Sequence, residues 1–191
     1  MHHFLGDPHL SHHQVLKHDK RPFASIEEHD EVITERCRPS KIEPYNELWL
    51  MGDVAWTVEA LHKFMAAIRP RWDKIHLIRG NHDDKVAWRH RDLFDSANEA
   101  LYLRIDPETK VYLSHYAHRV WRNSHHGAYH VHGHSHGCLP EWGRSIDSFV
   151  GDHNWGPISM ADVVRMRSHA KPFNHHDSQL GLSVIGENTP I

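Results

Sequence analysis

Cysteine is close to absent: Cys37 and Cys138 are the only two in 191 residues. They stand far apart with no CxxC pairing, which argues against a disulfide framework and against a thiolate zinc knuckle. Long apolar runs are missing as well, none approaching the roughly 20 residues that span a bilayer, so no membrane partner is expected. The opening MHHFLGDPHL has neither the basic start nor the apolar core of a signal peptide, and a reducing, cytoplasmic setting is the expectation. A surplus of positive charge is lacking too. With 22 Lys+Arg against 25 Asp+Glu and a net charge of −3, a general basic surface for gripping nucleic acid is not expected, although a local basic groove is compatible with that balance.

Histidine is abundant, with 23 residues. It is scattered, in doublets such as His2-His3, His12-His13, His125-His126 and His175-His176, and so is not a terminal tag. Most of these side chains must be surface or core residues, and any metal site has to be picked out by position. The remaining composition, 39% hydrophobic and 25% charged, is that of an ordinary globular chain. The length suits one domain, expected over 1–167, with a polar tail over 168–191 expected to be loosely held.

Apolar runs alternate with helical patterns, which points to a mixed α/β (α+β) fold. Strands are expected at His3–Leu5, in ELWLMGD, in KIHLIRGNHDD, and at Leu101–Ile105, Val111–Ser114, Tyr129–His132 and Ile146–Val150. The turn DPETK should join two of them as a hairpin. Ser25 and Glu28 form a capping-box pattern ahead of a helix from Ile26 to about Cys37. Thr57 can cap a second helix with Val58, Leu61, Met65 and Ile68 on its apolar stripe, stopped by Pro70. Ser159–Met166 should form a last short helix.

The informative regularity lies at strand ends. FLGDPH closes on Asp7 and His9, LWLMGD on Asp53, HLIRGNHDD on Asn81 and His82, VYLSH on His115, and YHVHGHSH on His134 and His136. Loops at the C-terminal ends of strands converge on one rim, where such sheets place ligand sites. Carboxylates, imidazoles and an amide oxygen without thiolates suit divalent ions of intermediate hardness. Residues i and i+2 of an extended segment share a side, so Asp7 and His9 can grip one ion together. Gly52 and Gly133 permit close backbone approach. Blander readings exist for each: Asp53 as a helix cap, Asn81 as a turn residue, His118 in place of His115, and the HGHSH run as plain surface.

Taken in order from Asp7 to His136, the set D-x-H, G-D, G-N-H-D, H and G-H-x-H resembles the calcineurin-like metallophosphoesterase superfamily. The stretches DPHLSHHQVLKHDKRPFASIEE and IDSFVGDHNWGPIS resemble a branch of small bacterial and phage members. The resemblance implies a four-layer α-β-β-α sandwich, two mixed β-sheets flanked by helices, with metals at one edge. It implies that Asp7, His9 and His136 hold one divalent ion, that Asn81, His115 and His134 hold a second, and that Asp53 bridges them. Manganese comes first among the expected ions, with Fe, Zn, Ni or Co as alternatives. The implied reaction is hydrolysis of phosphate mono- or diesters by a hydroxide held between two ions, with His82 as general acid and Asp83 orienting its ring. Pro8 departs from the pattern, removing a backbone N–H beside the first ligands.

A small phosphorylated substrate, such as a nucleotide or another phosphoester, is the expected partner, ahead of DNA or RNA. A catalytically silent scaffold and a histidine-rich metal buffer are the competing readings. His12 is read as either a residue supporting a ligand or an exposed loop histidine, and His132 as packed beneath the site. Arg21, Arg119 and Arg122 are read as solvated surface that could meet phosphate. Trp49 and Trp72 are expected in the core or rim, and Trp121 and Trp142 could stack on a base or ring.

Overall fold

In the computed structural model the described residues are 1–39, 44–140 and 142–172. The strands are β1 (His2–Leu5), β2 (Glu47–Leu50), β3 (Lys74–Ile78), β4 (Ser96–Asn98), β5 (Ala100–Arg104), β6 (Lys110–Ser114), β7 (Tyr129–His132), β8 (Ser145–Asp147) and β9 (Ile158–Ser159). The helices are α1 (His13–His18), α2 (Ile26–Arg36), α3 (Val58–Ile68) and α4 (Met160–Arg167), with short 3₁₀ turns between elements. They form two mixed sheets flanked by these helices. The five-stranded sheet runs β4-β3-β2-β1-β9, parallel except at β9, and the four-stranded sheet runs β5-β6-β7-β8, with only β5 antiparallel to its neighbour.

Alternation along the strands sorts side chains into two cores. From β1, β2 and β3, Leu5, Leu48, Leu50, Ile75 and Leu77 face helices α2 and α3, meeting Ile33, Leu61, Phe64, Met65 and Ile68. On the opposite face Phe4, Trp49 and Ile78 meet Val111, Leu113, Tyr129 and Val131 of the second sheet, with Met160 and Val163 of α4. Truncating a fully enclosed ring such as Phe64 would cost about 3–5 kcal/mol. The outer face of the second sheet, carrying Tyr112 and His130, is covered by the segment around His118 and Trp121. The helical layer expected there is thus built from loop and 3₁₀ turn, and α4 packs at the end shared by β1, β8 and β9.

Local expectations are met with small shifts. Ser25 accepts the Glu28 N–H, but the Glu28 carboxylate reaches past the cap to the N–H of Ala24. Thr57 caps α3 through the Ala60 N–H. The apolar stripe of α3 buries Phe64 in place of Val58, which stays exposed. The hairpin at DPETK closes with Ile105 N–H on Thr109 O. Strand β8 is shorter than expected, because the chain leaves it at Ser148 to bridge the two sheets: Gly6 N–H donates to Ser148 O, and Ser148 N–H to His132 O. Of the tail, residues 168–172 are described, and Arg144 donates to the carbonyls of Ser168 and Ala170. Residues 173–191 lie outside the described residues. No helix among the described residues is long and apolar enough to cross a membrane.

Candidate metal centre

Five parallel-running strands, β1, β2, β3, β6 and β7, end at the seam between the sheets, and the segments that follow them carry the candidate ligands. The backbone there is contorted. Asp7, His9, Asp53, His134 and His136 all adopt positive φ, between 48° and 67°, a conformation that non-glycine residues take only when surrounding structure enforces it. The convergence of Asp7 and His9 therefore comes from left-handed turns either side of Pro8, and not from strand alternation. Crowding explains the neighbouring glycines. A Cβ on Gly133 would sit 2.6 Å from Asp7 Oδ2, and one on Gly52, whose φ is +97°, would sit 2.4 Å from His115 Nδ1.

Two groups of ligating atoms result, each with its atoms within 4.8 Å of one another: Asp7, His9 and His136, and Asp53, His115 and His134. Asp53 links them, its Oδ2 lying 3.6 Å from His9 Nε2 in the first group and 3.6 Å from His115 Nε2 in the second. Asn81 joins the second group, with Oδ1 2.9 Å from His115 Nε2. His134 and His136 go to different groups, although the His134 N–H donates to both oxygens of Asp7 across the seam.

The donors fit cations. His9 Nε2 is buried without a hydrogen-bond partner, a deficit that ordinarily costs about 1–3 kcal/mol and marks a place where another group belongs. His115 Nδ1 is taken by the Met51 carbonyl at 2.8 Å, which directs Nε2 inward. Burial pushes the Asp7 carboxyl up and the His9 imidazole down to about 3. Burial also opposes charge on His115 and His136, but neighbouring carboxylates outweigh it: Asp53 lifts His115 to about 8, and Asp19 with Asp7 lifts His136 to about 10. Burial likewise opposes ionisation of Asp53, yet the His115 imidazole beside it, with the His82 N–H, brings it down to about 2. Without a cation, protons on two imidazoles supply the positive charge that these carboxylates require.

The His82 ring sits exposed at the mouth, 5.7 Å from the His9 ring and 5.4 Å from the Trp56 ring, while its backbone N–H donates to Asp53 Oδ1. Asp83 does not fit the role of orienting that ring. Its carboxylate turns inward and accepts the backbone N–H groups of Asp53, Val54 and Gly80 at 2.7–3.0 Å, tying together the loops after β2 and β3. His132 is buried beside the site, its Nδ1 on the Gly133 carbonyl. His12 stacks on Trp56 at 4.0 Å.

Arg21 departs from the surface reading. It is buried and donates to the carbonyls of Asp7 and Pro8 and to Asp19. Arg119 and Arg122 lie over the rings of Trp142 and Tyr102. Trp49 and Trp72 are buried in the core as expected, while Trp121 is also buried, with its N–H on Ala128 O, and does not serve as a stacking platform. Sequence reading missed Asp19, whose Oδ2 accepts from His136 Nδ1 at 2.8 Å, and missed exposed Trp56. A lone aspartate among polar residues carries no signal of its own.

No known protein-family profile matches the chain, and no curated protein does. Among solved structures it is similar to the protein of unknown function AQ665 from Aquifex aeolicus, with a TM-score of 0.65 and 19% identity, over 87% of this chain and 98% of that one. At that identity the likeness concerns the fold alone.

Proposed function

We propose that this chain is a dinuclear metal-dependent phosphoesterase of the calcineurin-like metallophosphoesterase type, hydrolysing phosphate mono- or diesters of small molecules. The observation that carries the reading is Asp53 Oδ2, equidistant at 3.6 Å from imidazoles of two separate ligand groups. That is the placement a carboxylate shared by two ions requires. Asp7, His9 and His136 would hold one cation, Asn81, His115 and His134 would hold the other, and Asp53 would be shared between them, with manganese the first choice. When bound, such a pair supplies Lewis-acid charge and lowers the pKa of water.

The protein contributes the rest. Strained loops, fixed by Asp83 from below, hold the ligands in place before any ion arrives, so little reorganisation is needed. His82, on the mouth side of His9 and tethered through its N–H to Asp53, gives its proton to the leaving oxygen. The buried walls of Gly133, Met51 and His115 keep water from the carboxylates on the inner side. Against a histidine-rich buffer stands the division of labour among histidines: His130 is buried in the second sheet with Nδ1 on Tyr112 O, far from serving as a free ligand.

The experiment is metal counting and hydrolysis of chromogenic mono- and diesters by wild type and Asp53→Ala with added Mn²⁺. Near two ions per wild-type chain and turnover are expected. In the variant the stoichiometry falls and activity drops by at least about 10²-fold, the scale of losing one main electrostatic contributor. Two bound ions with no hydrolysis of any ester would make the chain a silent scaffold, and many ions unaffected by Asp53→Ala would make it a buffer.

A further inference from the structure

Two stretches with no role in the ligand set, HDKRPF after α1 and DSFVGDHNW after β8, converge on one side chain, His136. Asp19 Oδ2 accepts from His136 Nδ1 at 2.8 Å, and the Phe149 ring stacks on the imidazole at 4.9 Å with planes 7° apart. One contact fixes the edge of the ring and the other its face, so rotation and tilt are both set. With Nδ1–H committed to Asp19, Nε2 is the nitrogen left to point at Asp7, whose Oδ1 is 3.5 Å away. A carboxylate behind a ligating imidazole fixes its tautomer and raises its basicity.

Asp19 is itself held. Arg21, with its side chain wholly buried, donates to the same Oδ2 through Nε at 3.0 Å and Nη2 at 2.8 Å. Its remaining donors grip the carbonyls of Asp7 and Pro8, both at 3.0 Å, and its Nη1 meets His29 Nε2 at 2.8 Å. His29 continues to Asp30, whose other oxygen accepts the Ser11 N–H. One buried guanidinium thus joins the backbone of the first ligand loop to the carboxylate that steers the third ligand, which comes from the other sheet. At the second site the buried histidine, His115, has a neutral acceptor behind it, the Met51 carbonyl.

We infer that Asp19 is a positioning residue for the ion held by Asp7, His9 and His136, with Arg21 as its anchor, and that this makes the two ion sites unequal in strength. The inference rests on the dinuclear reading above. Its site is the tighter one, because Asp7 and His9 are buried and the half-buried His136 is backed by the Asp19 carboxylate, whereas Asn81 and His134 of the other site are exposed.

The test is titration of the metal-free chain with Mn²⁺ alone, by calorimetry and by electron paramagnetic resonance, for wild type, Asp19→Ala and Asp19→Asn. Wild type should fill in two steps and show the signature of a coupled Mn pair. Asp19→Ala should weaken the tighter step by roughly 10–100-fold, leave the other within error, and replace the coupled signal by that of isolated Mn. Because every hydrogen bond described at Asp19 from His136 and Arg21 falls on one oxygen, Asp19→Asn can keep them and should recover part of the loss. It also serves as the test if the alanine variant does not fold. Two steps unchanged in a folded Asp19→Ala, or in Asp19→Asn standing in for it, would overturn the role of Asp19, and equal weakening of both steps would overturn its assignment to one ion. A wild type binding no ion, or only one, would instead overturn the dinuclear reading beneath it.

Discussion

The two sheets make unlike contributions to the seam between them. Every candidate oxygen ligand comes from the first sheet, as Asp7, Asp53 and Asn81 follow β1, β2 and β3. Three of the four imidazoles come from the second, as His115 follows β6, and His134 and His136 follow β7. Neither group is complete on one sheet, since each needs at least one residue from across the seam. Cations bound here would act as cross-links between layers that otherwise meet through an apolar face. The difference also explains where charge is controlled. The first sheet supplies negative charge, held by the His82 N–H on Asp53 and, from across the seam, by the His134 N–H on Asp7, while the second supplies groups whose charge can be exchanged for a metal's.

The sharpest way to break the first-sheet half is Asp83→Ala. It deprives three backbone N–H groups of their acceptor, and even at the low end of the penalty for buried unpaired donors the loss should be about 3 kcal/mol. Urea denaturation measures it. A loss below about 1 kcal/mol would show that the loops after β2 and β3 do not depend on that carboxylate. The second test acts at the mouth. His82→Ala should keep its metal content yet lose at least about tenfold in turnover, as for removal of a general acid. Full activity in that variant would remove His82 from the chemistry.

A third test concerns the second sheet's imidazoles. His115 and His136 have raised pKa values, about 8 and about 10, so at pH 7 both carry a proton in the metal-free chain. A cation must displace those protons. Binding at pH 7 should therefore release protons, and affinity should climb as pH rises towards 8 and, more gradually, towards 10. Calorimetry in buffers of different ionisation enthalpy reads the release directly. Affinity that is flat across this range would contradict the assignment of these two residues as ligands.

Much of this arrangement was legible in the sequence because burial on both faces leaves continuous apolar runs. ELWL and KIHLI read as strands, and the polar residues that end them stood out against that background. What escaped notice was short or directional. Helix α1 buries only Val15, and β4 and β9 span three and two residues, too few for periodicity to show. Asp83 was paired with His82 by adjacency, but consecutive residues in a tight turn diverge, and one faces solvent while the other is enclosed. Arg21 read as surface because arginine usually is. Only the tertiary convergence of Asp19, Asp7 and Pro8 gives a buried guanidinium enough acceptors. The surplus histidines divide similarly, since His130 and His132 are core residues that no local pattern distinguishes from ligands four residues later.

The central claim, that one carboxylate is shared by two ions at the seam, is tested most directly by crystals grown with Mn²⁺ and measured at the manganese absorption edge. The expected map has two anomalous peaks flanking Asp53, one against Asp7, His9 and His136, the other against Asn81, His115 and His134. A single peak, or peaks scattered over surface histidine doublets with none at Asp53, would contradict it.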